Sequence, residues 1–206
     1  QAAKTYHHAK HGSIFGVEAG SLSFDFGKAH AHKNSVMDRM RDGIAGLMKK
    51  HKVEVIEGEA TLVKGGFSVN GETHEAENIL LCTGSSPTIP PIPGIEAEHI
   101  VDSTGILNNE TLPENLVIVG GGVIGCEFAC VYASVGVPVT VLEAMPEICP
   151  NLDSEISAIL RKELEKKGVS FVLGAKVESF EGKSVRYNLE GESKDMNADL
   201  VLIATG

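Results

Sequence analysis

Two kinds of hydrophobic pattern divide the chain. From Asn34 onward, apolar residues recur at steps of three and four, which predicts an amphipathic helix that ends in the basic run at 49–52. The apolar positions of this helix are Val36, Met37, Met40, Ile44, Leu47 and Met48. A first short helix is predicted from Gln1 to Gly12, followed by a loop to about Lys33.

Short apolar runs typical of strands follow this helix. They are VEVI at 53–56, ATLV at 60–63, FSVN at 67–70 and ENILLCTG at 77–84. Five of the eight prolines then lie between 85 and 113, and this clustering predicts a connector between two units.

The second half alternates strand and helix patterns. It contains the strand NLVIVG, a helix at 123–135, the strand VPVTVLE at 137–143, a helix capped by Asp153, the strand VSFVLG at 169–174 and the closing strand DLVLIATG. The capped helix is expected to place Ile156, Ile159, Leu160 and Leu164 on one face and to stop at Gly168. A turn-rich stretch at 175–197 predicts a β-meander. The β-α-β-α-β order predicts a parallel sheet with right-handed crossovers.

A glycine motif joins the first of these strands to its helix. Gly120 would allow a tight turn, Gly122 would let backbone N–H groups approach a pyrophosphate, and Gly125 would let helix and strand pack closely. Glu143 ends the next strand, where its carboxylate can accept hydrogen bonds from a ribose 2′-OH and repel a 2′-phosphate. The pattern predicts NAD rather than NADP; the alternative is a glycine-rich turn without a ligand.

Charge and composition narrow the function classes. A formal charge of −10 argues against a nucleic-acid or anionic-membrane surface, and no apolar run approaches the length of a membrane span. The four cysteines show no regular framework, which favours a reducing compartment, with cytoplasm as the default. Cys126 and Cys130 are expected to be buried packing thiols. His7 and His11 lack further ligands nearby, so no metal site is expected.

Two segments, one in each half of the chain, have similar sequences. ENILLCTG at 77–84 matches DLVLIATG at 199–206, and the second copy ends 86 positions after Gly120. The same spacing counted back from Gly84 falls before Gln1. We therefore expect two related nucleotide-binding units, the first without its phosphate loop, and a chain that is an internal piece of a longer protein.

The order of these motifs carries a family resemblance. ILLCTGS, the proline-rich connector, VDSTGIL, LPENLVIVGGGVIGCE, VTVLE and DLVLIATG together resemble the two-dinucleotide flavoprotein disulfide reductases, most of all the dihydrolipoamide dehydrogenase group. The resemblance implies an α/β fold with a partial FAD-binding domain and connector at 1–112 and a Rossmann-like NAD-binding domain at 113–206. It also implies oxidation of a dihydrolipoyl dithiol through a Cys-x4-Cys disulfide and FAD, with NAD⁺ as acceptor. The implied partners are the dihydrolipoyl domain of a 2-oxoacid dehydrogenase complex and a second subunit in a homodimer.

The resemblance also assigns residues. It places NAD contacts on Gly120, Gly121, Gly122, Val123, Ile124, Gly125, Cys126, Glu127, Glu143, Val177 and Gly206, and FAD contacts on Ala60, Thr83, Gly84 and Ser85. Glu127 matches a carboxylate that lies near the flavin in relatives, although it could equally be a surface glutamate in the first turn of its helix. No Cys-x4-Cys and no first glycine motif are present, so this piece alone is expected to be inactive.

Two other functions remain open at this point. A stand-alone NAD-binding regulatory module would explain the missing catalytic cysteines, whereas the retained Thr83-Gly84-Ser85 favours the flavoprotein. Within the enzyme class, a piece of an NADH-dependent peroxidase or oxidase is the near competitor.

Overall fold

The computed structural model describes residues 1–205, and Gly206 lies outside the described residues. The chain divides into two compact units, one formed by 1–30 with the chain from Pro87 onward, the other by 31–86. The predicted division near residue 112 assigned the proline-rich connector to the first domain. In the structure, residues 87–112 instead belong to the same unit as the glycine motif, because they supply an edge strand and a helix to its sheet.

The helices and strands have the following bounds. The helices are α1 Ala2–Lys10, α2 Phe26–Lys50, α3 Ser103–Asn108, α4 Val123–Ser134 and α5 Ser154–Lys166, with a 3₁₀ turn at Gly12–Phe15. The strands are β1 Ala60–Val63, β2 Gly66–Val69, β3 Glu72–Glu75, β4 Ile100–Val101, β5 Leu116–Val119, β6 Val139–Glu143, β7 Val169–Leu173, β8 Lys176–Glu181, β9 Ser184–Leu189, β10 Glu192–Asn197 and β11 Leu200–Ile203.

The first helix is confirmed, but the loop predicted up to Lys33 is wrong at its end. Helix α2 begins at Phe26, because the Asp25 carboxylate accepts a hydrogen bond from the Lys28 N–H at 2.9 Å and so satisfies the first turn. The residues that follow carry no apolar period, which is why the pattern missed them. The apolar face predicted for this helix is largely exposed, including Met40 at 64% and Ile44 at 56%.

The unit formed by 31–86 contains a small antiparallel sheet of β1, β2 and β3, with Ala60 opposite Val69. Two of the predicted strands are absent from it: 53–56 and 77–84 have no regular structure. Their apolar side chains are exposed, with Leu80 at 87%. A strand needs a neighbour to satisfy its backbone N–H and C=O groups, and within the described residues neither segment has a strand partner.

The parallel sheet of the other unit has the order β4-β11-β5-β6-β7. Val117 pairs in parallel with Thr140 and with Val201, so the predicted parallel arrangement of 116–120 with 138–143 is confirmed. Strands β8, β9 and β10 form the predicted antiparallel meander. Strand β5 is buried throughout, with Ile118 in the core under α4 and Val117 in the core under the meander.

Helix α5 is capped and stopped as predicted. The Asp153 carboxylate accepts a hydrogen bond from the Glu155 N–H at 2.9 Å, and Gly168 follows the helix with φ of 94°. The predicted apolar face is only partly correct, because Leu164 is buried while Ile156 and Ile159 are more than half exposed. A helix that covers the outer part of a sheet buries a narrow stripe, and these two residues lie outside it.

Among the described residues, no helix is both long enough and apolar enough to cross a membrane.

Candidate dinucleotide-binding site

The glycine loop lies at the carboxyl edge of the parallel sheet. It joins β5 to α4, and β5 has β6 on one side and β11 on the other. The chain leaves β5 toward β6 and β7 and later returns to the other side as β11. This point, where the strand order reverses, is where open α/β sheets bind their ligands.

Two glycines of the motif are required by packing. Gly120 has φ of 108°, and a Cβ atom there would collide with the main-chain oxygen of Ala204. A Cβ atom on Gly125 would collide with the main-chain oxygen of Gly120. The roles predicted for these two residues, a tight turn and close approach of helix to strand, are confirmed.

Gly122 differs from them. It precedes α4 with φ of −70° and ψ of −176°, a conformation open to any residue, and no atom lies within 4 Å of where its Cβ would stand. The fold therefore does not require glycine here, whereas a diphosphate above the loop would require the open space.

The N-terminus of α4 opens onto this space. Its N-cap residue, Gly122, offers no side-chain acceptor to the first helical N–H groups. The first-turn side chains of Val123 and Ile124 are exposed, at 59% and 48%. Free N–H groups at the positive end of a helix favour an anion, so the diphosphate of a dinucleotide fits this end.

Glu143 ends β6 directly beside the loop and is only 7% exposed. Its Oε2 accepts a hydrogen bond from the Gly121 N–H at 2.5 Å, and its Oε1 accepts one from the Met145 N–H at 2.7 Å. An ionised carboxylate has about four acceptor positions, so about two remain for ribose hydroxyls. The carboxylate thus fixes the glycine loop, and its contact with a ribose stays a prediction.

The start of the meander lies against the same residue. The Ala175 N–H donates to the Glu143 main-chain oxygen at 2.9 Å. Val177, expected to touch the adenine, is 8% exposed and packs in the core under the meander, so its adenine contact stays a prediction. Gly206, the last expected contact, lies outside the described residues.

Glu127 is exposed on α4. The helix begins at Val123, so Glu127 lies beyond its first four residues, and the first turn contains no acidic residue. Glu127 is thus a surface residue, but the prediction that it lies in the first turn, where the helix dipole would stabilise it, is wrong. The proximity of Glu127 to a flavin stays a prediction.

The loop after β6 also supports the site, although no sequence pattern predicted it. The Cys149 N–H donates to the Gly121 main-chain oxygen at 2.9 Å, and Ile148 packs against Gly121. The loop is held from α5, where Arg161 donates to both carboxylate oxygens of Glu147, at 2.9 and 3.1 Å. Arg161 lowers the pKa of Glu147 through these hydrogen bonds. No hydrophobic periodicity in the sequence predicts the role of this loop. Only the structure shows it, through the ion pair between Glu147 and Arg161.

Cys126 is buried, as predicted, and Cys130 is partly buried. Burial, followed by the neighbouring Cys149 thiol, raises the pKa of Cys126. A thiol with a raised pKa stays protonated near neutral pH, so Cys126 packs in the core and reacts only slowly as a nucleophile.

The residues expected to contact FAD are not brought together in a binding pocket. Ala60 is exposed at the start of β1, where it pairs with Val69, and Thr83, Gly84 and Ser85 lie in an exposed segment without regular structure. The Thr-Gly-Ser segment follows no strand in the structure, so it lacks the support that would aim its backbone at a ligand. Within the described residues these four positions form no FAD pocket, and their FAD contacts stay predictions.

A separate cleft of about 390 Å³ lies at the opposite, amino edge of the parallel sheet. It is lined by Glu98, His99, Asn109, Thr111, Pro113, Lys183, Asp199 and Leu200. Lys183 donates to the Asp199 carboxylate at 2.5 Å and lowers the pKa of that group. Since the dinucleotide loop is at the carboxyl edge, this cleft is not part of the candidate site.

Comparison with known proteins agrees with this geometry. The chain matches the pyridine nucleotide-disulphide oxidoreductase family model over residues 2–206. It is 35% identical to the dihydrolipoyl dehydrogenase of Acholeplasma laidlawii and 38% identical to that of Geobacillus stearothermophilus, in both cases over the whole of this chain. It spans 63% and 45% of the length of these relatives.

A solved structure shows the same fold. The Cu(II) complex of the HOCl-induced flavoprotein disulfide reductase RclA from Escherichia coli superposes with a TM-score of 0.79 at 34% identity, over all of this chain and 46% of that one. The family match extends across both halves, including the half in which the FAD contacts are not assembled. This chain belongs to the pyridine nucleotide-disulphide oxidoreductase family.

Proposed function

We propose that the unit containing the glycine loop binds NAD(H). The observation that carries the proposal is the open space at Gly122, which precedes a helix N-terminus without a side-chain cap. The neighbouring residue of the same loop, Gly121, is hydrogen-bonded to the buried Glu143 carboxylate. The diphosphate would lie over the loop and the start of α4, and the adenosine ribose would occupy the remaining acceptor positions of Glu143.

The charge of Glu143 supports NAD over NADP. A 2′-phosphate would bring about two negative charges next to a carboxylate that already accepts two backbone hydrogen bonds. No basic residue is hydrogen-bonded to Glu143 in the described structure to offset that repulsion. Specificity of this kind comes from the element that repels the wrong ligand.

For the whole protein we propose dihydrolipoyl dehydrogenase activity, in which a dihydrolipoyl dithiol is oxidised and electrons pass by way of FAD to NAD⁺. Relatives with that name support it, as does the match to the family across 2–206. We propose a functional division into 1–112 for FAD, including the connector, and 113–206 for NAD, although the connector residues 87–112 pack in the unit that contains the glycine loop. Partners would be a dihydrolipoyl domain of a 2-oxoacid dehydrogenase complex and a second subunit, in the cytoplasm.

Titration of protein fluorescence or NADH fluorescence with NADH and NADPH tests the NAD assignment. We expect NADH to bind more tightly than NADPH, and Gly122→Ala to weaken NADH binding about tenfold or more, since a methyl group would occupy the diphosphate space. The melting temperature should stay unchanged because the new Cβ meets no protein atom.

Gly20→Ala is the control, because Gly20, like Gly122, has no atom near its Cβ position, and it lies outside the glycine loop. It should change neither binding nor melting temperature. Equal affinity of the unmutated protein for NADH and NADPH, or full NADH affinity in Gly122→Ala, would contradict the assignment.

A second candidate function is an NAD-binding regulatory module without flavin. The exposed, unstructured Thr83-Gly84-Ser85 favours it, since that segment forms no flavin pocket in the structure. The two functions differ in flavin content of the native protein isolated from its source. Stoichiometric FAD would support the dehydrogenase and exclude the module.

A further inference from the structure

Two buried cysteines meet beneath the glycine loop. Cys126 lies in α4 and Cys149 in the loop after β6, and they are 5% and 3% exposed. Both thiols face one acceptor, the main-chain oxygen of Gly121, which is 3.4 Å from Cys126 Sγ and 3.7 Å from Cys149 Sγ. The Cys149 side chain is also hydrogen-bonded to Cys126, so the two thiols are neighbours although 22 residues lie between them in the sequence.

Cys149 is held in this place by its backbone. Its φ of 46° is a left-handed conformation that residues other than glycine rarely adopt, and its N–H donates to the same Gly121 oxygen at 2.9 Å. Backbone strain persists only where the surrounding structure imposes it, and it concentrates at functional sites. The proximity of the Cys149 thiol also contributes to the raised pKa of Cys126, as do Glu143 and Glu147.

We propose that Cys126 and Cys149 are an oxidation site that forms an intramolecular disulfide with hydrogen peroxide, and that this bond weakens NAD(H) binding. The second part rests on the proposed NAD site. The disulfide itself does not, because it depends only on the two sulfur atoms.

The chemistry balances with peroxide as the oxidant. One thiol loses its proton and attacks a peroxide oxygen, so that the O–O bond breaks, a sulfenic acid forms and the leaving hydroxide takes up the proton as water. The second thiol attacks the sulfenic sulfur, the S–S bond forms and a second water leaves. Two thiols lose two electrons in total, and one peroxide becomes two water molecules.

Burial selects the oxidant and sets the rate. A small neutral peroxide can reach sulfur atoms that are almost inaccessible to solvent, whereas a bulky disulfide such as oxidised glutathione cannot. Since the thiolate is the nucleophile and the Cys126 pKa is raised, the reaction should be slow near neutral pH and faster as pH rises.

The bond would act on the ligand site through Gly121. It would remove both S–H donors from the Gly121 oxygen and tie α4 to the loop after β6. The N–H of Gly121 holds Glu143 Oε2, so a shift at Gly121 displaces both the phosphate loop and the ribose carboxylate. By linkage, bound NADH must disfavour the disulfide by the same factor by which the disulfide weakens NADH.

Peptide mapping can locate the bond. After peroxide treatment and alkylation of remaining thiols, cleavage after glutamate places Cys126 on peptide 115–127, Cys130 on 128–143 and Cys149 on 148–155. We expect peptides 115–127 and 148–155 to be joined, with the loss of two hydrogen atoms, and to separate on treatment with dithiothreitol. Trypsin is unsuitable because both cysteines lie between Lys64 and Arg161, with no cleavage site between them.

NADH titration then tests the effect on binding. The oxidised protein should bind NADH about fivefold or more weakly, the lower end of typical coupling between sites, and saturating NADH should slow formation of the disulfide. Dithiothreitol should restore the affinity. Cys149→Ser should lose both the joined peptides and the sensitivity to peroxide, and Cys126→Ser provides the same test if Cys149→Ser does not fold. Cys130→Ser, one helical turn beyond Cys126, is the matched control and should retain both.

Two results would overturn the proposal: separate alkylation of Cys126 and Cys149 after peroxide, or joined peptides with unchanged NADH affinity. Failure of the reduced protein to bind NADH has a different meaning. It would reject the proposed NAD site, and with it the coupling, while the joined peptides would still report on the disulfide.

Discussion

The glycines of the loop between β5 and α4 have different physical reasons to be glycine. Gly120 and Gly125 have no room for a Cβ atom because main-chain oxygens occupy that space, so substitution there would damage the fold. Gly122 has room for a Cβ atom and an ordinary backbone conformation, so the fold itself does not require glycine there. A substitution at Gly122 therefore reports on binding, and one at Gly125 reports on folding.

Glu143 fixes the loop through two backbone hydrogen bonds and is also the residue proposed to bind the ribose. In Glu143→Ala, the N–H groups of Gly121 and Met145 would lose their acceptor in a buried place, which costs about 1–3 kcal/mol of stability. NADH binding should weaken by a similar amount, about 1–3 kcal/mol, and discrimination against NADPH should shrink as the negative charge disappears. Thermal unfolding and titration with both nucleotides separate the two effects.

Glu155→Ala is the control for this prediction, since Glu155 is an exposed glutamate outside the loop. It should leave both nucleotide affinities unchanged. If Glu143→Ala keeps full preference for NADH, the carboxylate has only the structural role of fixing the loop.

At the scale of elements, the loop after β6 depends on α5. Arg161, 24% exposed, donates to both oxygens of Glu147 and also to Glu165, at 2.8 Å. Replacing the guanidinium removes the bidentate hydrogen bond to Glu147 that fixes the loop containing Cys149. This connects the stability of α5 to the geometry beneath the glycine loop.

Arg161→Met should lower the free energy of unfolding by about 1 kcal/mol at neutral pH, the upper end for a partly exposed ion pair. The folded-state pKa of Glu147 lies below its ordinary 4.5, so the ion pair stabilises the protein above that value and loses its effect as pH falls through the lowered pKa. Urea unfolding of both proteins should therefore differ at pH 7 and converge in acid. Lys162→Met, an exposed neighbour, should match the unmutated protein throughout; a difference for Arg161→Met that does not depend on pH would exclude the ion pair as its cause.

At the scale of the whole molecule, the two units differ in how many of the strands predicted from their sequences form in the structure. The unit with the parallel sheet contains two cores, one on each side of β5. In 31–86, apolar segments such as 77–84 are exposed and form no strand. The family match nevertheless covers both, and the chain spans 45–63% of the length of the relatives named above.

This difference leads to a prediction about flavin. The 206-residue chain should purify colourless and still bind NADH, because Thr83-Gly84-Ser85 is not shaped for FAD while the loop at Gly122 is open. An absorbance spectrum and an NADH titration of the same sample measure both. A stoichiometric flavin band would show that the unit can form an FAD site, and loss of NADH binding would show that the glycine loop has no ligand.

Patterns local in sequence predicted most of the parallel-sheet unit. The apolar run at β5, the glycine spacing and the caps at Asp153 and Gly168 are each decided by residues a few positions apart, so they were predictable. The start of α2 was not, because Asp25 caps it without any apolar period. The absence of a strand at 77–84 was not predictable either, since an apolar run becomes a strand only when another strand satisfies its backbone N–H and C=O groups.

The sequence by itself determined the element order of the second half, the glycine loop between strand and helix, and the position of Glu143 at the end of the next strand, because periodicity and turn chemistry are local. Only the tertiary structure decided that Glu143 also holds the loop, and that Cys149 lies against Cys126 beneath it. It also decided which face of α5 is buried. These contacts join residues far apart in the chain, and their distances depend on how strands and helices pack, which no local pattern encodes.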